Sequence, residues 1–284
     1  MNEIIALILK IIYRAARIYV VFCIGYWLFH RFFVILPSRK ITTLPSDYGI
    51  RFQELFFNTT ARTQLQGWFL FSNKSPIEIN GKEALIVFLP GNAGALSKFL
   101  PGLKELVNYG FNVFALSYRG FGKSDFRWPT EQGVYHDAQA ALNFLIHDKG
   151  YAPEQLVVYG QSMGCAIASY AAGIVKPKAL ILEAGFPSLP AVVSRFIPWL
   201  PINLINTSRF DTLQHLNNVH CPVLVAHSHE DRSVTMRQAE MIFNAAHKPK
   251  QKVVIHGTHA KGLEENPGSY LTAINQFIRE TPSS

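Results

Sequence analysis

The chain has 284 residues, 49% of them apolar and 16% charged, enough for one sizeable core and too apolar for a disordered polymer. Its formal net charge of +8 suggests a nucleic-acid binder until the charge is located: residues 1–40 hold Lys10, Arg14, Arg17, Arg31, Arg39 and Lys40 against Glu3 alone. The excess sits at the N-terminus, where its natural counterpart is an anionic lipid surface, and no nucleic-acid partner is expected.

The first element is apolar. Ile4 to Leu9 is interrupted by Lys10, Arg14 and Arg17, Ile18 to Phe29 is unbroken, and Phe32 to Leu36 follows His30-Arg31. No run reaches the roughly 18 uninterrupted apolar residues that mark a transmembrane helix. A helix over residues 15–36 still spans a bilayer if Arg17 and Arg31 extend to its two edges. The other arrangement lies in the interface plane, with Tyr13, Tyr19, Tyr26 and Trp27 as anchors. No small-x-small cleavage site follows, against a removed signal peptide. Residues 1–36 are therefore expected to form a retained membrane anchor ahead of one domain over 37–284. Basic residues on both sides leave the side of the membrane unassigned.

Ile50–Phe57 and Leu65–Phe71 then form a candidate hairpin around a polar turn, and 72–82 is a turn-rich link. Ala84–Leu89, Asn112–Ser117, Leu156–Tyr159 and Ala179–Leu182 are nearly continuous apolar strands, the pattern of a sheet covered on both faces. Helical patterns lie between them. Pro101 suits a first turn, and Thr130 caps a helix whose apolar side carries Val134, Ala138, Ala141, Leu142 and Leu145. Pro222–Ala226 and Lys252–Ile255 supply the last strands, each followed by a helix. The three cysteines, Cys23, Cys165 and Cys221, have neither metal nor redox spacing and suggest no disulfide framework.

The stretch 184–220 is irregular, with Pro187, Pro190, Pro198 and Pro201 among Phe186, Phe196, Trp199 and Leu200. It predicts short helical turns, forming a cap-like insertion at about 186–215. Phe186, Phe196 and Trp199 either complete the core or form a substrate wall at the site mouth.

Gly160-Gln161-Ser162-Met163-Gly164 follows the strand at Leu156 and opens a segment of small residues. That is a serine on a sharp strand-to-helix turn, the nucleophile elbow of an α/β-hydrolase fold. A serine hydroxyl needs a histidine base and an orienting carboxylate, in the chain order Ser, acid, His. Asp231 and His259 each follow a later strand, so both reach the sheet edge that carries Ser162. Glu183, ending its own strand, is the alternative acid. Glu230 fits a solvated loop position, His256 a structural one, and His227 and His229 loop or surface positions. His227, His229 and Asp231 lack the shielding and further ligands of a metal site, so no metal is expected. The oxyanion hole calls for the backbone N–H of Met163 and a second from the loop Pro90-Gly91-Asn92-Ala93-Gly94, with Asn92 as candidate.

Gly91-Asn92-Ala93-Gly94, the run Tyr118 to Ser124, Pro129 to Ala138, the serine elbow, Glu183 to Leu189 and Cys221-Pro222-Val223-Leu224 resemble the Bem46-type α/β-hydrolases. This group is related to lipid and acyl-thioester hydrolases, and the resemblance covers roughly residues 35–280. It implies an N-terminal membrane segment and Ser162, Asp231 and His259 in the triad positions. The chain departs at Pro90, where the family usually has histidine, at Ser228 for glycine and at Ala95 for asparagine. By the same resemblance Tyr118-Arg119-Gly120 serves loop architecture.

The expected protein is thus an α/β-hydrolase with a mainly parallel eight-stranded sheet, helices on both faces and an N-terminal membrane helix. It is a membrane-associated serine hydrolase acting on carboxylic esters or thioesters, with lipid or acylated substrates and no cofactor. An amidase or peptidase, or a catalytically silent binding module of the same fold, is the alternative.

Overall fold

The computed structural model describes residues 2–92 and 94–281. In chain order the elements are α1 (Asn2–Phe29), α2 (Arg31–Val34), β1 (Phe52–Asn58), β2 (Gln64–Leu70), the short pair β3 (Glu78–Ile79) and β4 (Lys82–Glu83), and β5 (Leu85–Leu89). There follow α3 (Leu100–Tyr109), β6 (Asn112–Ser117), α4 (Glu131–Asn143), β7 (Leu156–Gln161), α5 (Gly164–Val175) and β8 (Ala179–Glu183). Three short helices, α6 (Leu189–Phe196), α7 (Ile202–Ile205) and α8 (Thr212–Leu216), precede β9 (Val223–Ser228), α9 (Met236–Ala245), β10 (Lys250–Ile255), α10 (Gly262–Glu265) and α11 (Pro267–Glu280).

Eight strands form one sheet in the order β1-β2-β6-β5-β7-β8-β9-β10. β1 pairs antiparallel with β2 and β2 with β6, while every other pair is parallel. The architecture matches the mainly parallel sheet expected from the apolar strands. Because successive side chains of a strand point to opposite faces, each continuous apolar strand feeds two cores. Val87, Leu89, Val158, Leu180, Leu182 and Val225 pack with α4 and α5. Their neighbours Ile86, Phe88, Val157, Ile181 and Leu224 pack with α3 and α11. Thr130 caps α4 as its sequence position suggested, accepting from Gly133 N at 3.1 Å.

The proline-rich stretch forms the short turns anticipated. Pro190 sits in the first turn of α6, where a missing N–H costs nothing, and Pro201 immediately precedes α7.

The N-terminus corrects two expectations. Among the described residues no helix is long and apolar enough to cross a membrane. The 28-residue α1 ends at Phe29, so the proposed span over 15–36 is not one helix. The stretch beyond Arg17 gives about 18 Å of apolar helix, against a hydrocarbon core of about 30 Å. α1 gives way to α2 at His30, which is engaged on both ring nitrogens: its Nδ1–H faces the carbonyls of Tyr26 and Trp27 at 3.1 Å, and its Nε2 accepts from Thr207 N at 3.1 Å. His30 is 4% exposed and Ile35 2%. Ile35 belongs to the core beneath the sheet, so packing puts the seam near residue 30 instead of between 36 and 37.

Candidate active site

Ser162 follows β7 with φ of +56°, a left-handed conformation that a side-chain-bearing residue holds only under constraint. The constraint is visible on both sides. A Cβ at Gly164 would overlap the carbonyl oxygen of Leu89, and one at Gly160 would run into Gly164 and Ala168 of α5. The two glycines therefore allow the helix to cross tightly over the strand, which lifts the serine above the sheet edge. The Ser162 amide donates to the Glu183 carbonyl at 2.8 Å and fixes the turn.

Asp231 leaves the C-terminal end of β9, and His259 follows β10. Ser162 Oγ lies 2.8 Å from His259 Nε2, and His259 Nδ1 lies 2.7 Å from Asp231 Oδ2. The other carboxylate oxygen, Oδ1, accepts from Ser233 N at 2.8 Å and Val234 N at 3.0 Å. Burial alone would raise the Asp231 carboxyl; the His259 bond and these two amides outweigh it and hold it below its ordinary range. A carboxylate facing Nδ1 makes that nitrogen the donor and leaves Nε2 to accept from the serine hydroxyl. Gln161 ties the elbow to the histidine loop, donating to Ala260 O at 3.1 Å.

Glu183 is placed elsewhere. It is fully buried and accepts from the Tyr159 hydroxyl and from Gly262 N, the latter at 2.9 Å. Burial raises its carboxyl, with these bonds opposing. It braces β7 and the start of α10 instead of orienting His259. His227 corrects the loop assignment: it lies inside β9, 1% exposed, and its Nε2–H donates to Val234 O at 3.0 Å behind Asp231. Burial pushes its imidazole down, so a neutral ring backs the carboxylate. His229 is exposed, and the side chain of His256, expected to be structural, is 82% exposed beside the solvated Glu230. Arg119 is committed to the buried Asp137 through a two-oxygen clasp with a shortest contact of 2.7 Å. Among the described residues no group of three or more His, Cys, Asp or Glu side chains could hold a metal ion.

The space above Ser162 is a small cavity of about 120 Å³ whose lining includes Gly91, Asn92, Phe99, Gln161 and His259. Met163 precedes α5, so its amide lies at the end of that helix that favours negative charge. Gly91 closes the opposite side: a Cβ there would stand 3.4 Å from Ser162 Cβ. Ala93, within the loop quoted for the oxyanion hole, lies outside the described residues.

Sequence reasoning missed what secures this loop. The Asn92 side-chain amide donates to Val34 O at 3.1 Å, and the Asn92 backbone carbonyl accepts from Leu36 N at 3.1 Å. The segment after α1 is thereby a strut for the site, and no periodicity in the sequence links residues 58 positions apart. Deleting residues 1–29 is expected to leave the melting temperature of the body nearly unchanged. Deleting 1–36 also removes the Ile35 side chain, worth about 1.5–3 kcal/mol of burial, and the bonds of this stretch to Asn92 and Thr207, worth about 1 kcal/mol each. It should lower Tm and slow turnover together. Equal Tm and turnover for the two truncations would refute the strut.

The expected substrate wall is not at this site. Phe186 is core, 5% exposed, whereas Phe196 and Trp199 are 64% and 53% exposed, and none of the three lines the Ser162 cavity. Trp199 instead meets α1: Phe22 packs edge-on against it at 5.8 Å, and the Tyr19 hydroxyl donates to its carbonyl at 3.0 Å. Residues absent from the sequence reading, Lys98, Phe99, Lys261 and Glu264, complete the cavity; the proximity of Lys261 to His259 in sequence was the available signal.

A family model for the α/β-hydrolase fold matches residues 84–201. An uncharacterised protein of Mycobacterium tuberculosis is 30% identical over 256 residues, covering 90% of this chain and 89% of its own length. YfhR of Escherichia coli K12 is 31% identical over 228 residues, covering 78% of each chain. Protein bem46 of Schizosaccharomyces pombe is 27% identical over 221 residues, covering 76% of this chain and 72% of its own. Among solved structures, an α/β-hydrolase from Vibrio vulnificus superposes with a TM-score of 0.69 at 20% identity, covering 84% of this chain and 88% of the other. An esterase from Pyrococcus furiosus gives 0.67 at 18% identity, covering 86% and 97%.

Proposed function

Because the chain belongs to the α/β-hydrolase family and is a homologue of Bem46, we propose that it is a serine hydrolase cleaving carboxylic esters or thioesters through an acyl-enzyme. The observation that carries this reading is the unbroken relay from Ser162 Oγ to His259 Nε2 at 2.8 Å and from His259 Nδ1 to Asp231 at 2.7 Å.

Ser162 Oγ attacks the acyl carbon while His259 Nε2 takes its proton, and Asp231 stabilises the imidazolium that results. The oxyanion receives the backbone N–H groups of Met163 and Asn92, and a donor of this kind is worth about 3–4 kcal/mol in the transition state. Collapse of the tetrahedral intermediate releases the alcohol or thiol with the proton from His259. Water, activated by the same histidine, then frees the acid and restores Ser162. The esterase among the structural neighbours supports ester chemistry here as the likeness of a fold, not as an identity of substrate.

Membrane association belongs to the same proposal. α1 carries Ile4, Ile12, Val21 and Phe29 at 57–67% exposure beside Lys10, Arg14 and Arg17, the composition of a helix lying in an anionic interface. Substrates reaching Ser162 from there are lipids or acylated amphiphiles. The test is labelling of the full chain by a fluorophosphonate probe, followed by turnover of matched ester, thioester and amide substrates. Labelling with faster ester or thioester turnover is expected. Labelling with amide turnover alone would overturn the substrate class, and absence of labelling would leave a silent binding module.

A further inference from the structure

A second cavity, larger than the one over Ser162, lies at the N-terminal helix. A groove of about 840 Å³ runs between α1 and the turn that precedes α7. Its α1 wall is a single helix face, Arg14, Arg17, Ile18, Val21, Phe22, Gly25 and Tyr26, recurring at three- and four-residue steps. Its other wall is Ile197, Trp199 and Leu200. The two guanidinium-bearing residues stand at one end, and beyond them the lining side chains are apolar up to Tyr26, whose hydroxyl is engaged with Asn206 Oδ1 at 3.3 Å. A Cβ placed on Gly25 would meet nothing within 4 Å, so the floor is open where the helix has no side chain. Ile18, Val21 and Phe22 remain 55–67% exposed although Trp199 packs against Phe22.

We propose that this groove seats one acyl chain of an anionic phospholipid of the bilayer, with the headgroup phosphate held at Arg14 and Arg17. The polarity gradient is what selects this occupant. A peptide would need partners for its backbone polar groups along the apolar stretch, and a neutral hydrocarbon would make no use of the paired cations. A phospholipid has the matching order of charge and then chain, and it covers apolar surface that the fold leaves bare. The site is separate from the Ser162 cavity, with which it shares no lining residue. The proposal rests on the membrane-surface reading of α1 and adds to it a defined seat for a single lipid.

The test uses the full chain with vesicles of phosphatidylglycerol or phosphatidylcholine whose acyl chains carry bromine, a contact quencher of tryptophan. The fluorescence difference between the protein and its Trp199→Phe variant isolates Trp199 from the other three tryptophans. Trp199 is expected to be quenched strongly by the anionic vesicles and weakly by the zwitterionic ones. The double variant Arg14→Gln/Arg17→Gln should bind anionic vesicles roughly thirtyfold more weakly at low salt, since each basic residue near such a surface is worth about one factor of five. Gly25→Leu fills the floor, and should abolish most of the Trp199 quenching while co-sedimentation with vesicles persists. Undiminished quenching in Gly25→Leu, or equal quenching by both lipids, overturns the groove and leaves the membrane-surface reading standing. Failure of the full chain to sediment with either vesicle overturns both. Hydrolysis of a short soluble ester should be the same in Gly25→Leu as in the parent, which confirms that the body is folded.

Discussion

Ser162→Ala is expected to abolish fluorophosphonate labelling and to lower kcat on any ester substrate by about 10⁶-fold, the scale found when a triad member is removed from a serine hydrolase. The size follows from what the hydroxyl does. Without it no acyl-enzyme forms, and the oxyanion donors proposed at Met163 and Asn92 can only polarise a carbonyl awaiting attack by water. The variant should fold normally, because Ser162 contributes its left-handed backbone through an amide bonded to Glu183 O, and alanine retains that amide. The same reasoning fixes the double variant. Ser162→Ala combined with His259→Ala should be little slower than either alone, since the 2.8 Å pair acts as one unit. Single-turnover measurements on a p-nitrophenyl ester separate the outcomes. A double variant whose loss is the product of the two single losses would mean that the residues act independently, and the relay would be wrong.

The parts legible in the sequence were those governed by local periodicity and chain order. β6 begins and ends at the residues its apolar run marks, and Ser162, Asp231 and His259 fall on one sheet edge because each follows a parallel strand. Parallel strands present their C-terminal ends together, so order along the chain becomes proximity in space. What was not legible depended on long-range packing. Whether Glu183 or Asp231 meets His259 is decided by where Tyr159 and Gly262 stand, and neither distance has a sequence signature. The seam of the N-terminal segment likewise rests on His30 meeting Thr207, 177 residues away. Trp199 has the composition of a substrate wall, yet its position was fixed by Tyr19 and Phe22 of α1. Apolar character predicts that a side chain seeks cover, not which surface provides it.

The choice between the two carboxylates gives the second large effect. Asp231→Asn should lower kcat about 10⁴-fold with the fold intact, whereas Glu183→Gln should lower stability while sparing kcat. In the parent, Oδ2 of Asp231 accepts from His259 Nδ1 at 2.7 Å while Oδ1 accepts the amides of Ser233 and Val234. An asparagine keeps its oxygen on those two amides, since turning it round would set its NH₂ against two donors. Its nitrogen then faces His259 and must donate. The ring responds by giving up its Nδ1 proton and carrying one on Nε2, where it confronts the Ser162 hydroxyl as a donor and cannot act as base. The pH dependence of stability offers an independent reading. The folded-state carboxyl of Asp231 is held below its unfolded value of about 3.9, so its contribution is present above that pH and is lost as pH falls through the depressed folded value. Asp231→Asn has no proton to take up there, and its acid unfolding curve should be flatter than the parent's below about pH 4. Urea unfolding across that range, measured beside kcat at neutral pH, checks both arms. Near-parent turnover in Asp231→Asn, joined to a 10⁴-fold loss in Glu183→Gln, would transfer the orienting role to Glu183.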